Sequence, residues 1–149
     1  MATQSYHLTF SGYWREPNVS GLPAQSGIYC VYGGRHNVAG GTVTLDRLIY
    51  IGESENVRNR VANHEKWLTW RQYLTQGQQL IFSAALILTG RERAEAAMIH
   101  HHKPPANTEY VNSFPYDTTS VSTSGQIALL SPLFTVHRTA YGLGALANW

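Results

Sequence analysis

Two short apolar runs, Ser26-Gly-Ile-Tyr-Cys-Val-Tyr32 and Leu45-Asp-Arg-Leu-Ile-Tyr-Ile51, decide the fold of this chain. Both are rich in β-branched and aromatic residues, and the first is expected to stop at Gly33-Gly34. The polar segment between the runs carries four glycines in all. The pattern predicts two antiparallel strands of a hairpin with a long insert at its tip.

Each run contributes one tyrosine of interest. Because side chains alternate along a strand, Tyr29 is expected to share a face with Val31, and Tyr50 to share a face with Leu48. A hairpin can hold two phenol hydroxyls side by side in this way. The same tyrosines are also typical of ordinary strands, where they only pack.

A helix from about Glu55 to Lys66 is predicted directly after the second run. Ser54 is a favourable N-cap, and apolar residues recur at a spacing of four. Arg60 and His64 are also four residues apart, so they are expected on one face of this helix, whereas Arg58 points elsewhere.

A later helix carries the acidic residue of greatest interest, Glu95. Thr89 and Glu92 form a capping box that starts this helix, which ends near Lys103, before two prolines. Glu95 precedes apolar residues by three and four positions, so it borders the buried stripe. A carboxylate there is costly to bury unless it is paired or binds a cation. A surface glutamate whose stem lies on the edge of the core fits equally well.

Together these motifs resemble the GIY-YIG nuclease family. Gly27-Ile28-Tyr29 and Tyr50-Ile51-Gly52 match its two triplets, and Arg60 matches the arginine of the helix that follows. His64 matches a histidine that many members place one turn later. The stretch from Glu95 to Asn107 matches a helical glutamate, a Lys-Pro helix end and an asparagine that begins the last core strand.

The resemblance implies a fold and a reaction. The fold would be α+β, with a small, mainly antiparallel central β-sheet flanked by helices. The activity would be Mg²⁺- or Mn²⁺-dependent endonucleolytic cleavage of DNA that leaves a 5′-phosphate and a 3′-hydroxyl, and RNA is not excluded. Six residues would carry it: Tyr29 as general base, Tyr50 orienting the water or contacting the phosphate, Arg60 stabilising phosphate charge, His64 tuning or deprotonating Tyr29, Glu95 holding the metal, and Asn107 holding the phosphate or bracing the site.

Other interpretations stay open at this point. A non-catalytic nucleic-acid or protein-interaction module could keep the same fold, although such a relic would be expected to lose Tyr29 or Glu95. A metal-dependent hydrolase of a small phosphate ester is compatible with the modest charge. Asn107 alone is also typical of a turn after two prolines. The three histidines from His100 to His102 point about 100° apart on a helix, which disfavours a shared metal ion and favours a helix C-terminus.

Length and composition predict one domain spanning residues 1–149, with a core at about 26–112. The net charge of +2 permits a nucleic-acid partner without requiring one. The single cysteine, Cys30, is expected to be a buried apolar residue in a reducing compartment. The chain lacks a signal-peptide pattern and a membrane-spanning run, so we expect a cytoplasmic protein, with a dimer possible.

The remaining segments complete the prediction. An N-terminal strand is expected at 5–14, a short helix at 67–74 whose tryptophans are more typical of core than of base stacking, and a central strand at 79–88. Residues 113–149 would form a strand-like extension. Within and just before it, we expect strands at 110–114, 126–130 and 133–137, a loop at 117–125 and a closing helix at 140–149.

Overall fold

The structure is a computed structural model and describes residues 2–140 of the 149-residue chain. The described residues form an α+β fold built on one mixed six-stranded sheet. The strands stand in the order β3-β2-β4-β1-β5-β6, and their bounds are β1 Gln4–Arg15, β2 Gly27–Asn37, β3 Thr42–Ser54, β4 Gln79–Leu86, β5 Thr119–Gly125 and β6 Leu133–Val136. Every neighbouring pair is antiparallel except β1 and β5, which run parallel.

Three α-helices cover the two faces of the sheet. α3 (Arg91–His102) packs on one face, over a core that includes Phe10 and Ile28. α1 (Val57–Ala62) and α2 (Trp67–Arg71) pack on the other face, where Trp70 is fully buried. A 3₁₀ helix, Glu16–Gly21, lies in the segment that was expected to be a plain loop. Among the described residues, no helix is both long enough and apolar enough to cross a bilayer.

The hairpin of β2 and β3 is longer than its two apolar runs suggest. β2 does not stop at Gly33 and Gly34 but pairs with β3 as far as Asn37. A methyl group at Gly34 would collide with the carbonyl oxygen of Thr44, so glycine permits the close approach of the strands here. The insert therefore lengthens the hairpin and leaves only residues 38–41 as the tip.

A β-bulge in β3 corrects the predicted faces. Val31 pairs with Tyr50 and Tyr32 pairs with Leu48, so Ile49 is an extra residue on β3. Tyr29 and Val31 share a face as expected, but Tyr50 lies on that same face and Leu48 lies on the opposite one. The expectation that Tyr50 and Leu48 share a face was wrong, because simple alternation fails across a bulge.

Two helix starts also differ from the sequence prediction. Ser54 still belongs to β3, and Asn56 caps α1 by accepting a hydrogen bond from Asn59 N at 3.0 Å. The N-cap of α3 is Gly90, with a φ of 76°, rather than Thr89. Only a residue tolerant of that left-handed conformation reverses the chain here without strain.

The C-terminal extension was predicted least well. The expected strands at 110–114 and 126–130 are turns and irregular chain, and the expected loop at 117–125 contains β5. Thr119, Val121 and Thr123 are buried in alternation, which is the period of a strand in a polar sequence. The strand expected at 133–137 is β6, and the closing helix expected at 140–149 lies almost wholly outside the described residues.

Candidate active site

A polar cavity of about 380 Å³ lies at the outer edge of β3, where the two faces of the sheet meet. It gathers side chains from β2, β3, α1 and α3 and from the loop that follows α3. Five of the six residues predicted from the sequence line it: Tyr29, Tyr50, Arg60, Glu95 and Asn107. The sixth, His64, packs behind the two tyrosines.

The two tyrosines lie side by side on one face of the hairpin. Their ring centroids are 6.3 Å apart, and Tyr29 is only 1% exposed while Tyr50 is half-buried. Burial raises the pKa of Tyr29 far above its usual value, and the neighbouring Tyr50 adds to the effect. Burial likewise raises the pKa of Tyr50, to about 12. Both side chains are therefore neutral phenols at neutral pH in the protein without ligands.

Glycines of the two triplets make room for this arrangement. A methyl group at Gly52 would lie 2.8 Å from Cε2 of the Tyr29 ring and closer still to its hydroxyl end. Gly27 approaches β4, where a methyl group would lie 2.5 Å from the carbonyl oxygen of Ala85. The Gly52 position thus holds the ring of Tyr29 flat against β3.

His64 is buried and uncharged. It lies just beyond the end of α1 rather than within the helix, because α1 ends at Ala62. Lys66 N donates a hydrogen bond to its Nδ1 at 3.1 Å, so the proton of the neutral ring is on Nε2. Burial lowers its pKa to about 4, helped by the nearby Arg60. Among the described residues its Nε2 is buried without a hydrogen-bond partner. Because Nε2 already carries the proton, His64 cannot take one from Tyr29 in this state, and its ring packs against the two tyrosines.

Arg60 reaches the cavity from the last turn of α1. Its guanidinium donates to both carboxylate oxygens of Glu65, at 2.8 and 3.1 Å. Both groups are substantially exposed, so a phosphate can compete for the same donors. Arg58 points away as expected, and donates through Nε to Leu22 O at 2.7 Å.

Glu95 enters the cavity from α3, on the other face of the sheet. Burial raises the pKa of its carboxyl group to about 8, and the negative charges of Glu53, Glu109 and Glu92 act in the same direction. Glu53 forms an ion pair with Arg91. Its negative charge is therefore partly compensated, which weakens its contribution to holding a proton or a cation at Glu95. An acid with this pKa gains most from a bound cation, because the cation removes the penalty of ionising it.

Asn107 braces the outer edge of β3. Its Oδ1 accepts a hydrogen bond from Ile51 N at 3.0 Å, and its Nδ2 donates to Ile51 O at 2.9 Å. Ala106 N donates to Ile49 O at 3.0 Å, so the loop continues the pairing of the edge strand. No strand begins at Asn107, in contrast to what the resemblance implied. The side chain holds the strand that carries Tyr50 and Gly52.

The charges around the cavity fit a hard cation held by one carboxylate. Four glutamates line the cavity, Glu53, Glu92, Glu95 and Glu109, against two cationic residues, Arg60 and Lys66. A phosphate would be repelled from such a site unless a cation compensated the acids. Within residues 2–140, no cluster of three or more His, Cys, Asp or Glu side chains is arranged as a metal site. A single carboxylate nevertheless suits Mg²⁺, which keeps several of its waters.

Several cavity residues were missed from the sequence. Lys66, Thr108, Glu109 and Tyr110 all line the cavity beside the predicted set. Lys66 follows α1 in a turn, and the other three follow Asn107 in irregular chain. Nothing in their local pattern distinguishes them from surface residues, so only the three-dimensional path of the loops identifies them.

The three consecutive histidines do not form a shared site. His100 Nδ1 bonds to Tyr110 O at 2.8 Å, His101 Nε2 to Ser131 Oγ at 2.8 Å, and His102 Nδ1 to Met98 O at 2.9 Å. His102 Nε2 also accepts a hydrogen bond from Ser131 N at 3.0 Å, so His101 and His102 share this partner while His100 contacts Tyr110. Their position at the end of α3 agrees with the expectation that they close a helix C-terminus.

No family model, curated protein or solved structure matches this chain.

Proposed function

We propose that the protein is a GIY-YIG-type endonuclease that hydrolyses phosphodiester bonds in DNA and uses Mg²⁺ or Mn²⁺. The observation that carries the proposal is the convergence, in one cavity, of two phenols, a guanidinium, a carboxylate of raised pKa and an amide. These groups come from four separate parts of the chain. Each has a role in phosphodiester hydrolysis, and no simpler packing purpose explains a half-buried acid among polar groups.

The reaction divides among the residues as follows. When the cavity carries extra positive charge, Tyr29 loses its phenol proton to solvent, and the phenolate Oη accepts a proton from a water molecule. The resulting hydroxide attacks the phosphorus as the bond to the 3′ oxygen breaks, and the 3′ oxygen takes up a proton from solvent. Tyr50 orients that water from the same face of the hairpin. Arg60 donates to a non-bridging oxygen, where negative charge grows in the transition state. The products are a 5′-phosphate and a 3′-hydroxyl.

Glu95 is the residue that would hold the divalent ion. When bound, such an ion supplies positive charge at the phosphate and at the leaving oxygen. Ionised Glu95 opposes ionisation of Tyr29, since its charge raises the phenol pKa, whereas Arg60 lowers it. The balance between these neighbours makes Tyr29 a base only when the cavity carries extra positive charge.

A second candidate is a nucleic-acid-binding module without catalysis. It is favoured by the pairing of Arg60 with Glu65 and by the high pKa of both phenols. In this state the arginine is engaged and neither tyrosine is a base. The two candidates differ in whether a divalent ion switches the cavity into a reactive form.

Cleavage of supercoiled plasmid separates them. Purified protein is incubated with plasmid in Mg²⁺, in Mn²⁺ and in excess chelator, and nicked and linear forms are quantified. We expect nicking with either ion, none with chelator, and a loss of at least about 100-fold in Glu95→Gln. Glu55→Gln is the matched control, since Glu55 is an exposed carboxylate that does not line the cavity.

Thermal unfolding gives a readout independent of turnover. Mg²⁺ is expected to raise the Tm of the wild type and of Glu55→Gln, but not of Glu95→Gln, because a bound ion stabilises only the protein that binds it. Plasmid binding without nicking in any ion would support the module instead. Full activity of Glu95→Gln would remove the assignment of the metal ligand.

A further inference from the structure

One arginine near the cavity is held over an aromatic ring and has no acidic partner. The guanidinium carbon of Arg47, in β3, lies 5.0 Å from the centroid of the Tyr73 ring, just past the end of α2. No carboxylate or hydrogen-bond acceptor within residues 2–140 contacts the Arg47 side chain. Two other arginines form ion pairs on this side of the chain: Arg35 with Asp46 and Arg71 with Glu16.

The bulge in β3 places Arg47 on the face that carries the two tyrosines. Arg47 pairs with Gly33 of β2, and Tyr50 pairs with Val31, two residues away on the same strand. Residues two apart on β2 share a face, so Arg47 and Tyr50 do as well. Without the extra residue, Ile49, these two side chains, three positions apart, would point to opposite faces.

Tyr73 contacts both Arg47 and the loop that lines the cavity. Its hydroxyl donates to Pro105 O at 3.3 Å, in the loop that also supplies Ala106 and Asn107 to the edge of β3. Arg47 therefore lies on a surface continuous with the cavity. Because their partners Gly33 and Val31 are two residues apart on β2, Arg47 and Tyr50 are about 7 Å apart along the strand.

We propose that Arg47, supported by Tyr73, binds a backbone phosphate of the DNA strand that neighbours the scissile phosphate. The inference rests on the proposed function, since it extends the substrate path outward from that cavity. The ring fixes the guanidinium while its donors stay open to solvent, as a phosphate-binding arginine requires.

The test compares a DNA duplex, which is long enough to reach Arg47, with a small phosphodiester, which is not. Binding of a fluorescent duplex oligonucleotide is measured by anisotropy in Ca²⁺ over a range of salt concentrations, for the wild type, Arg47→Ala and Arg15→Ala. Arg15 is the matched control because it pairs with Ile81 of the α3-side core, so it lies on the opposite face, and within residues 2–140 it has no ion pair. Cleavage of bis(p-nitrophenyl) phosphate in Mn²⁺ reports on the cavity alone.

Arg47→Ala is expected to weaken oligonucleotide binding by about 5- to 10-fold and to reduce the slope of log K against log salt by about one. Hydrolysis of the small diester should stay at the wild-type rate, because that substrate does not reach Arg47. Tyr73→Ala should weaken binding as Arg47→Ala does, while Tyr73→Phe, which keeps the ring, should bind like the wild type.

Two results would overturn the assignment. Wild-type binding by Arg47→Ala would remove the contact, and an equal loss in Arg15→Ala would show a general effect of charge. Failure of the proposed function looks different, since the wild type itself would then leave both plasmid and small diester intact. In that case anisotropy of the wild type and Arg47→Ala still decides whether Arg47 binds DNA.

Discussion

Gly52 lies beneath the ring of Tyr29, and the space for that ring exists only because residue 52 has no side chain. The last residues of the two triplets are thus linked in space, the phenol of Tyr29 in one strand and Gly52 in its neighbour. Tyr29 pairs with Gly52 across the hairpin, so any side chain at position 52 must displace the phenol. The glycine at position 52, directly across the hairpin from Tyr29, therefore has a steric reason.

Gly52→Ala is therefore expected to abolish function while the fold survives. The added methyl group would push the Tyr29 ring out of place, and misplacing a reacting group by about 1 Å can reduce a rate by about 100-fold. Plasmid nicking measures the loss, and circular dichroism checks the fold. Gly40→Ala, at the hairpin tip, is the control, because a methyl group there would meet Thr42 only at an ordinary 3.7 Å. Normal nicking by Gly52→Ala would show that Tyr29 does not act from this position.

Removing Glu65 is expected to strengthen substrate binding through Arg60. The ion pair lowers the pKa of Glu65 to about 2, chiefly through its hydrogen bonds with Arg60, and a phosphate must displace that carboxylate. Glu65→Gln should lower KM by several-fold with kcat little changed. Arg60→Ala should instead lower kcat by about 100-fold. A rise in KM for Glu65→Gln would indicate that Glu65 positions Arg60 instead of competing for it.

Asn107 is expected to contribute to stability through β3. Asn107→Asp replaces the Nδ2 donor by an oxygen that faces Ile51 O, whereas Asn107→Ala removes both hydrogen bonds. Each should lower the free energy of unfolding by about 1–3 kcal/mol, with the larger loss in the aspartate variant at neutral pH. Urea unfolding measures it, with Asn112→Ala, at an exposed asparagine, as the control. Equal stability of all four proteins would rule out bracing by this side chain.

His64 should make the protein sensitive to acid. Its pKa is about 4 in the folded protein and 6.5 when unperturbed, so between these values the unfolded chain binds the proton more readily. The His64 contribution to stability is complete above pH 6.5 and falls as the pH drops toward 4, by on the order of 3 kcal/mol at about 1.4 kcal/mol per pH unit. Glu95, whose pKa is raised to about 8, contributes the opposite slope in this range, so the His64 effect is the difference between the wild type and His64→Leu.

Urea unfolding at pH 7, 5.5 and 4.5 checks this effect. His64→Leu should remove the His64 part of the dependence. The slopes of His101 and His102, whose pKa values burial also lowers, and the opposite slope of Glu95 remain. A wild-type slope that His64→Leu leaves unchanged would place the acid sensitivity elsewhere in the chain.

Much of the site could be predicted from the sequence because its residues stand on regular elements. Tyr29, Arg60 and Glu95 lie on a strand and two helices whose patterns were clear, and all three line the cavity. The face of β3 on which Tyr50 lies was mispredicted because a bulge breaks the two-residue period. Nothing in the sequence around Ile49 indicates that bulge. The state of His64 depended on burial by Trp70 and the tyrosines, which no local pattern encodes.

The strand β5 escaped prediction for a different reason. It alternates buried threonine and valine with half-buried serine, so its composition is typical of a loop while its period is that of a strand. Its partner is β1, and nothing local marks a parallel pairing across such a distance. Buried Arg93 closes this region by donating to Thr119 Oγ1 and to the carbonyl oxygens of Ala2, Asp117 and Thr118.

The parallel pairing of β1 with β5 has a consequence for biosynthesis. His7 and Ser122, which bond across it, are 115 residues apart, so the first strand leaves the ribosome long before its neighbour is translated. At about 5–20 residues per second, that wait lasts about 6–23 s. During this interval residues 4–9 present an unpaired edge, so nascent chains stalled before β5 should recruit chaperones that completed chains do not need.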